Sequence, residues 1–409
     1  MKRLWAIFLA VFSLLSLFGC SVLHNSSVSN ALVPMEDVRT EDVVAVMSLN
    51  RSAQDIDRFR GGYYVFIKKD GSYELVDQEF TDYTNLQWNK KNLLLTGRKY
   101  DYLLTENTET VKHTVAKEAL GSEFSLLLDD GLYMSFWNWG FSHDRKGGYD
   151  YELIVGNREK VNRYELPYSV ESKPVVCGGK ILGITQEVFL QDENMDNVLE
   201  ATQELRSFHT DGSSKVIEHY KKLKLDGVDT AIQPSYQSYY CHNDSFIVGV
   251  ADVYQENIQP EDLFVIVDAI DIQTGKRKVI PVVDSENKKV NVTEWNTWHI
   301  ENNILFGTAD HGRIVKVNID TGIAEFINES FEKSHSDNMG SGYPHELYET
   351  YANGKLYQFI YKSDLGETPY IRILDMESGK EIQHIEIQNL NDVMKSGLIP
   401  KGFAANPNF

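Results

Sequence analysis

A five-residue turn recurs at three places in the chain, and it constrains the fold more than any other feature. Asp271-Ile272-Gln273-Thr274-Gly275, Asn318-Ile319-Asp320-Thr321-Gly322 and Asp375-Met376-Glu377-Ser378-Gly379 share one pattern: Asp or Asn, apolar, polar or acidic, Thr or Ser, Gly. The first side chain can accept hydrogen bonds from amides inside the turn, and Gly supplies the positive φ at its end. Each copy follows one strand-like run (Leu263 to Ile270, Arg313 to Val317, Tyr370 to Leu374) and precedes another (Lys278 to Val283, Ile323 to Ile327, Glu381 to Ile387). Phe208-His209-Thr210-Asp211-Gly212 is a looser version.

A second element lies upstream of these turns: a tight turn followed by a strand of small and apolar residues. Its copies begin at Asp129-Asp130-Gly131, Cys177-Gly178-Gly179, Asn243-Asp244-Ser245, Glu301-Asn302-Asn303 and Ala352-Asn353-Gly354, with earlier ones at Gly61-Gly62-Tyr63 and Lys90-Lys91-Asn92. Together they define a unit of strand, turn, strand, loop, strand, turn, strand. Four antiparallel strands repeated radially make a β-propeller. The chain is therefore read as all-β, a propeller of seven blades with six or eight as the alternatives. Seven units give about 56 residues each over the chain after its leader, longer than the roughly 40–45 of a WD blade, so several blades must carry insertions. No long amphipathic helix interrupts the pattern, and the last helical candidate, Asn389 to Met394, is short.

The N-terminus reads as an export signal. Met1-Lys2-Arg3 is followed by an uncharged apolar run from Leu4 to Phe18, shorter than the roughly 20 residues a membrane-spanning helix needs. Leu17-Phe18-Gly19-Cys20 resembles a bacterial lipobox, which implies lipidation of Cys20 as the first residue of the mature chain. The expected organisation is a lipoprotein signal peptide over 1–19, lipidated Cys20 and a Ser/Asn-rich flexible tether over 20–40, and the propeller over 41–409. Such a protein would sit on the outer, extracytoplasmic face of a bacterial membrane, held there by its lipid anchor.

Charge and cysteine usage narrow the partners. The 60 acidic against 40 basic residues give a net charge of −20, which repels phosphate backbones and excludes nucleic acid bound through a basic patch. Only Cys177 and Cys241 remain for the folded domain. In an oxidising compartment they allow one disulfide, and two free buried thiols are the alternative.

The unit resembles the PQQ-repeat and YVTN-type (quinoprotein-like) bacterial propellers, on the strength of the strand ending in Asp-x-x-Thr-Gly and of Pro174-Val175-Val176-Cys177-Gly178-Gly179. The likeness implies architecture. The Trp that closes each PQQ-type repeat is replaced here by Val279-Ile280, Phe326-Ile327 and Ile385 to Ile387, and the vicinal cysteine pair of quinoprotein dehydrogenases is absent. No cofactor is expected.

Three site classes follow. Trp137, Trp139, Trp295 and Trp298, set beside Asn138 and Asn296, offer flat faces for a sugar ring or a protein partner, with packing between blades as the other reading. A divalent metal in the central channel, as in propeller lactonases, is open because every blade carries Asp, Glu or Asn. His335, Asp337 and His345 form the nearest thing to a histidine cluster. Without a nucleophile elbow or metal signature, the expectation is a non-catalytic binding or scaffold propeller for an extracytoplasmic protein partner. A metal-dependent lactonase-like hydrolase or a cell-wall glycan binder is the alternative.

Overall fold

The recurring turns close as their chemistry predicts. In the computed structural model, Asp271 Oδ1 accepts the amides of Gln273 (2.9 Å) and Thr274 (2.7 Å), and the Gly275 N–H returns to the Asp271 carbonyl at φ +72°. Asn318 and Asp375 repeat this arrangement with Gly322 (φ +76°) and Gly379 (φ +68°). The structure describes residues 31–409 apart from 52–60, 82–83, 106–109, 115–121, 142–148, 191–197, 221–222, 226–227, 235–238, 256–263, 292–294, 310–311, 329–344 and 363. Cys20, the leader, most of the tether, His335 and Asp337 lie outside the described residues.

Among the described residues the strands form seven antiparallel sheets, the blades of a seven-bladed propeller. Strands within a blade are lettered A to D from the channel outward. Blade VI is the plain case: Trp295–Glu301, Ile304–Ala309, Arg313–Asn318 and Ala324–Phe326. Blade VII repeats it with His345–Ala352, Lys355–Lys362, Tyr370–Asp375 and Glu381–Glu386. Blade II (Leu86–Trp88, Asn92–Thr96, Tyr100–Thr105, Thr110–Thr114) and blade III (Ser122–Leu127, Tyr133–Phe141, Tyr149–Gly156, Val161–Leu166) are four-stranded too. A-to-B turns and C-to-D turns share one face of the ring. B-to-C and D-to-A connections share the other.

Blade I corrects the phase read from sequence. Gly62–Lys68 is not a B strand after a turn but a C strand; Val43–Arg51 is B, Tyr73–Gln78 is D, and the A strand is Leu398–Ala405 from the far end of the chain. The two ends of the chain thus complete one sheet. Asn406 clasps the join, its N–H donating to the Val44 carbonyl and its side-chain amide to the Val43 carbonyl, both at 2.8 Å. The helix Leu390–Met394 leads into this strand and buries Leu390, Val393 and Met394.

The segment expected to be free tether is not free at its end. Leu32 bridges Leu75 in parallel, the Val33 amide donates to the Leu75 carbonyl, and Met35 and Val38 are buried between blades I and II. Because this segment runs parallel to strand D, its upstream end points toward the tight-turn face.

Blades IV and V are overbuilt. In blade IV, Lys180–Leu190 and Val198–Phe208 are 11 residues each, about 36 Å at about 3.3 Å per residue, against 5 residues for Asn92–Thr96 of blade II. Both Val175–Cys177 and Ser169–Val170 pair along Lys180–Leu190, and Ser214–Tyr220 is the outer strand. In blade V the strand Phe246–Gln255 pairs with Tyr240–His242 near its start and with Val228–Pro234 further on. Leu223–Leu225 adds to the latter, while Val265–Asp271 and Arg277–Pro281 complete the blade. Both extensions rise on the face away from the tight turns.

The core is distributed between blades, since each sheet must bury both faces. Apolar clusters join I with II, II with III, and so on around to VII with I, for example Leu94 and Leu103 against Tyr133, Trp137 and Ile154 between II and III. At the seam of IV and V, Cys177 and Cys241 are joined as a disulfide with Cα atoms 5.1 Å apart, among Leu182, Ile184, Ile247 and Ile270. In blade V, Arg277 makes a two-point ion pair with buried Asp268 (2.7 and 2.6 Å), to which the Tyr239 hydroxyl also donates. Arg163 with Glu152 repeats the two-point pair in blade III, and in blade IV Arg206 meets Glu204 of its own strand at one point.

Candidate functional site: the central channel

The A strands face the axis of the ring, and their side chains enclose a cavity of about 340 Å³. All seven blades reach it, including Trp88 of blade II, Glu123 of III, Tyr240 of V, Trp298 of VI, Glu349 and Tyr351 of VII, and Lys401 of the closing strand; blade IV contributes Lys173 from just before its A strand. No single stretch of sequence carries more than one corner of this site.

The two carboxylates of the lining are already engaged. Glu123 accepts from the hydroxyl of Tyr151 and, at 3.4 Å, from the side-chain amide of Asn138. Glu349 accepts from Thr308 Oγ1 at 2.7 Å and from Gln358 Nε2 at 2.5 Å. Near Glu123, burial and then the charge of Glu123 itself push the carboxyl of Glu171 up to about 6.

Lys173 differs. Burial pulls its ammonium down to about 8, and among the described residues it makes no ion pair. Tyr240 and Tyr351 have phenols pushed up, in each case first by burial. Beside them His299 is stacked between Phe306 (4.4 Å) and Tyr351 (4.5 Å), and burial pulls it down to about 4, so it is a neutral packing ring at pH 7.

The tryptophans named from sequence do not form a surface. Trp137 lies in the seam of blades II and III, Trp295 in that of V and VI, and Trp298 in that of VI and VII, each at most 5% exposed. Trp139 is half-buried against the same cluster as Trp137. A strand packed on both faces and a strand presenting aromatics to a ligand read alike in sequence. Of the four, Trp298 alone reaches the channel, and its indole N–H donates to Thr308 Oγ1 at 3.0 Å. Among the described residues no group of three or more His, Cys, Asp or Glu side chains is placed to hold a metal ion. Lys173 and Lys401 were not singled out by the sequence. A lysine preceding Pro-Val-Val looks like any solvated charge until the ring places it on the axis.

Comparison with known proteins agrees with the propeller. The family signature described as "YycP, beta-propeller domain" matches residues 40–403. No curated protein matches the chain. Among solved structures, BamB from Moraxella catarrhalis aligns at 12% identity over 84% of this chain and 90% of its own, with a TM-score of 0.41. AztD from Citrobacter koseri aligns at 10% identity over 87% and 88%, with a TM-score of 0.38. TolB from Acinetobacter baumannii aligns at 10% identity over 73% and 67%, with a TM-score of 0.33.

Proposed function

The chain belongs to the YycP β-propeller domain family, and for this member we propose an exported, lipid-anchored binding protein that holds a protein partner outside the cytoplasm. The observation that carries the reading is the disulfide between Cys177 and Cys241, because such bonds persist in exported proteins and are rare in reducing compartments. The leader of Lys2, Arg3 and an apolar run ending at Cys20 supports the same address.

The ring supports a division of labour between its faces. The chain enters blade I with its upstream end toward the tight-turn face, which would turn that face to the membrane. The hairpins of blades IV and V then project away from it, as partner-binding elements on a rigid base.

The test is fractionation with a Cys20→Ser variant. The wild type should partition with membranes and the variant should be released to the medium or periplasm with its fold intact. A variant that stays in membranes would overturn the anchor. A thiol-alkylation assay on the protein as it leaves the cell should find Cys177 and Cys241 protected until reduction, and free thiols there would overturn the address.

A further inference from the structure

We propose that the central channel binds a small organic anion built on a flat ring, with Lys173 as its charged contact and Lys401 as the second cation of the site. The argument begins with charge. In a chain of 60 acidic and 40 basic residues, a half-buried ammonium on the channel wall would ordinarily find a carboxylate. Among the described residues Lys173 and Lys401 make no hydrogen bond or ion pair, although both line the cavity.

The carboxylates that face the same space cannot serve them as they stand. Glu123 is taken by Tyr151 and Asn138, and Glu349 by Thr308 and Gln358. Glu171, two residues from Lys173, is shifted by burial and by Glu123 and not by the lysine. A half-buried cation facing a channel without a counter-charge loses hydration that a bound anion would help recover, and a charge-assisted contact there is stronger than one at the open surface.

The walls specify the body of the ligand. Trp88, Tyr240 and Tyr351 line the cavity with the lysines, and aromatic side chains there can pack against a flat, unsaturated ring. A volume of about 340 Å³ sits at the small end of the roughly 300–1,000 Å³ of small-molecule sites, room for a molecule of two or three rings. Carboxylate, sulfonate and phosphate share the required chemistry.

Two dyes test this on the intact protein: anilinonaphthalene sulfonate and the uncharged N-phenylnaphthylamine, which has the same rings without the sulfonate. The wild type should bind the sulfonate saturably at one site. Lys173→Met should weaken that binding by about tenfold, the loss of one charge-assisted contact, and leave the neutral dye unchanged. Lys173→Arg should retain most of it. Should the methionine variant fail to fold, displacement from the wild type decides: benzoate should compete with the sulfonate dye and benzyl alcohol should not. No saturable binding of the sulfonate, equal loss of both dyes in Lys173→Met, no loss of either, or equal competition by the alcohol would each overturn the proposal.

Discussion

The ring is fastened differently at two places. In blade I the two ends of the chain meet without a covalent bond: Val43–Arg51 pairs with Leu398–Ala405, and Val44, Met47 and Leu49 are wholly buried at the join. At the seam of blades IV and V a disulfide crosses between A strands. The closure is backed on both sides by broad apolar clusters and by the helix Leu390–Met394. Blades IV and V instead bear long hairpins that leave the ring. Covalent reinforcement therefore sits where structure overhangs the core, and packing suffices where the chain closes on itself.

That contrast is open to direct attack. Truncation after Gly397 removes the A strand of blade I and exposes both neighbouring clusters, so the remaining chain should lose its cooperative urea transition altogether. A sharp transition near the wild-type midpoint would show that closure is not what holds the ring. Asp268→Ala leaves the Arg277 guanidinium buried and unpaired, which should cost about 3–5 kcal/mol, read as a lower urea midpoint at unchanged slope. The double variant Cys177→Ser, Cys241→Ser frees a span of 64 residues and should cost about 2–4 kcal/mol, with the reduced wild type matching it. If reduction moves the midpoint by nothing measurable, the stitch is ornamental to stability.

The remaining effect is one of pH, comparable in size to the two before it, and it lies in blade II. Burial pushes the carboxyl of Asp101 up to about 8 beside Tyr133. Its folded pKa lies above the unfolded value of about 3.9. Its contribution is therefore complete below that value and is lost as pH rises through about 8. Asp101→Asn should flatten the fall in urea midpoint between pH 5 and pH 8 by comparison with wild type, and parallel curves would contradict the assignment.

Much of the regular ring was legible because turn chemistry is local. Asp271, Asn318 and Asp375 announce their hairpins within five residues. Closure was not legible, since Leu398–Ala405 pairs with a strand more than 300 residues away and nothing in its own pattern says so. The tryptophans misled for a related reason: blades bury both faces, so alternation does not mark an outside. Asp268, set inside the apolar run Val265 to Ile270, was a readable sign of a buried ion pair. The channel was the least legible, because its lining is assembled from all seven blades and no one stretch of them is unusual.

The central claim is that the overhang of blades IV and V meets a protein partner outside the cell membrane. A photo-cross-linking residue placed at Glu200 or Asp229, on those hairpins, and at Glu325 or Ile382, on the exposed outer strands of blades VI and VII, tests it in living cells. The account predicts one shared adduct from the first two positions and none of that mass from the second two. No adduct from any position, or the same adduct from all four, would contradict it.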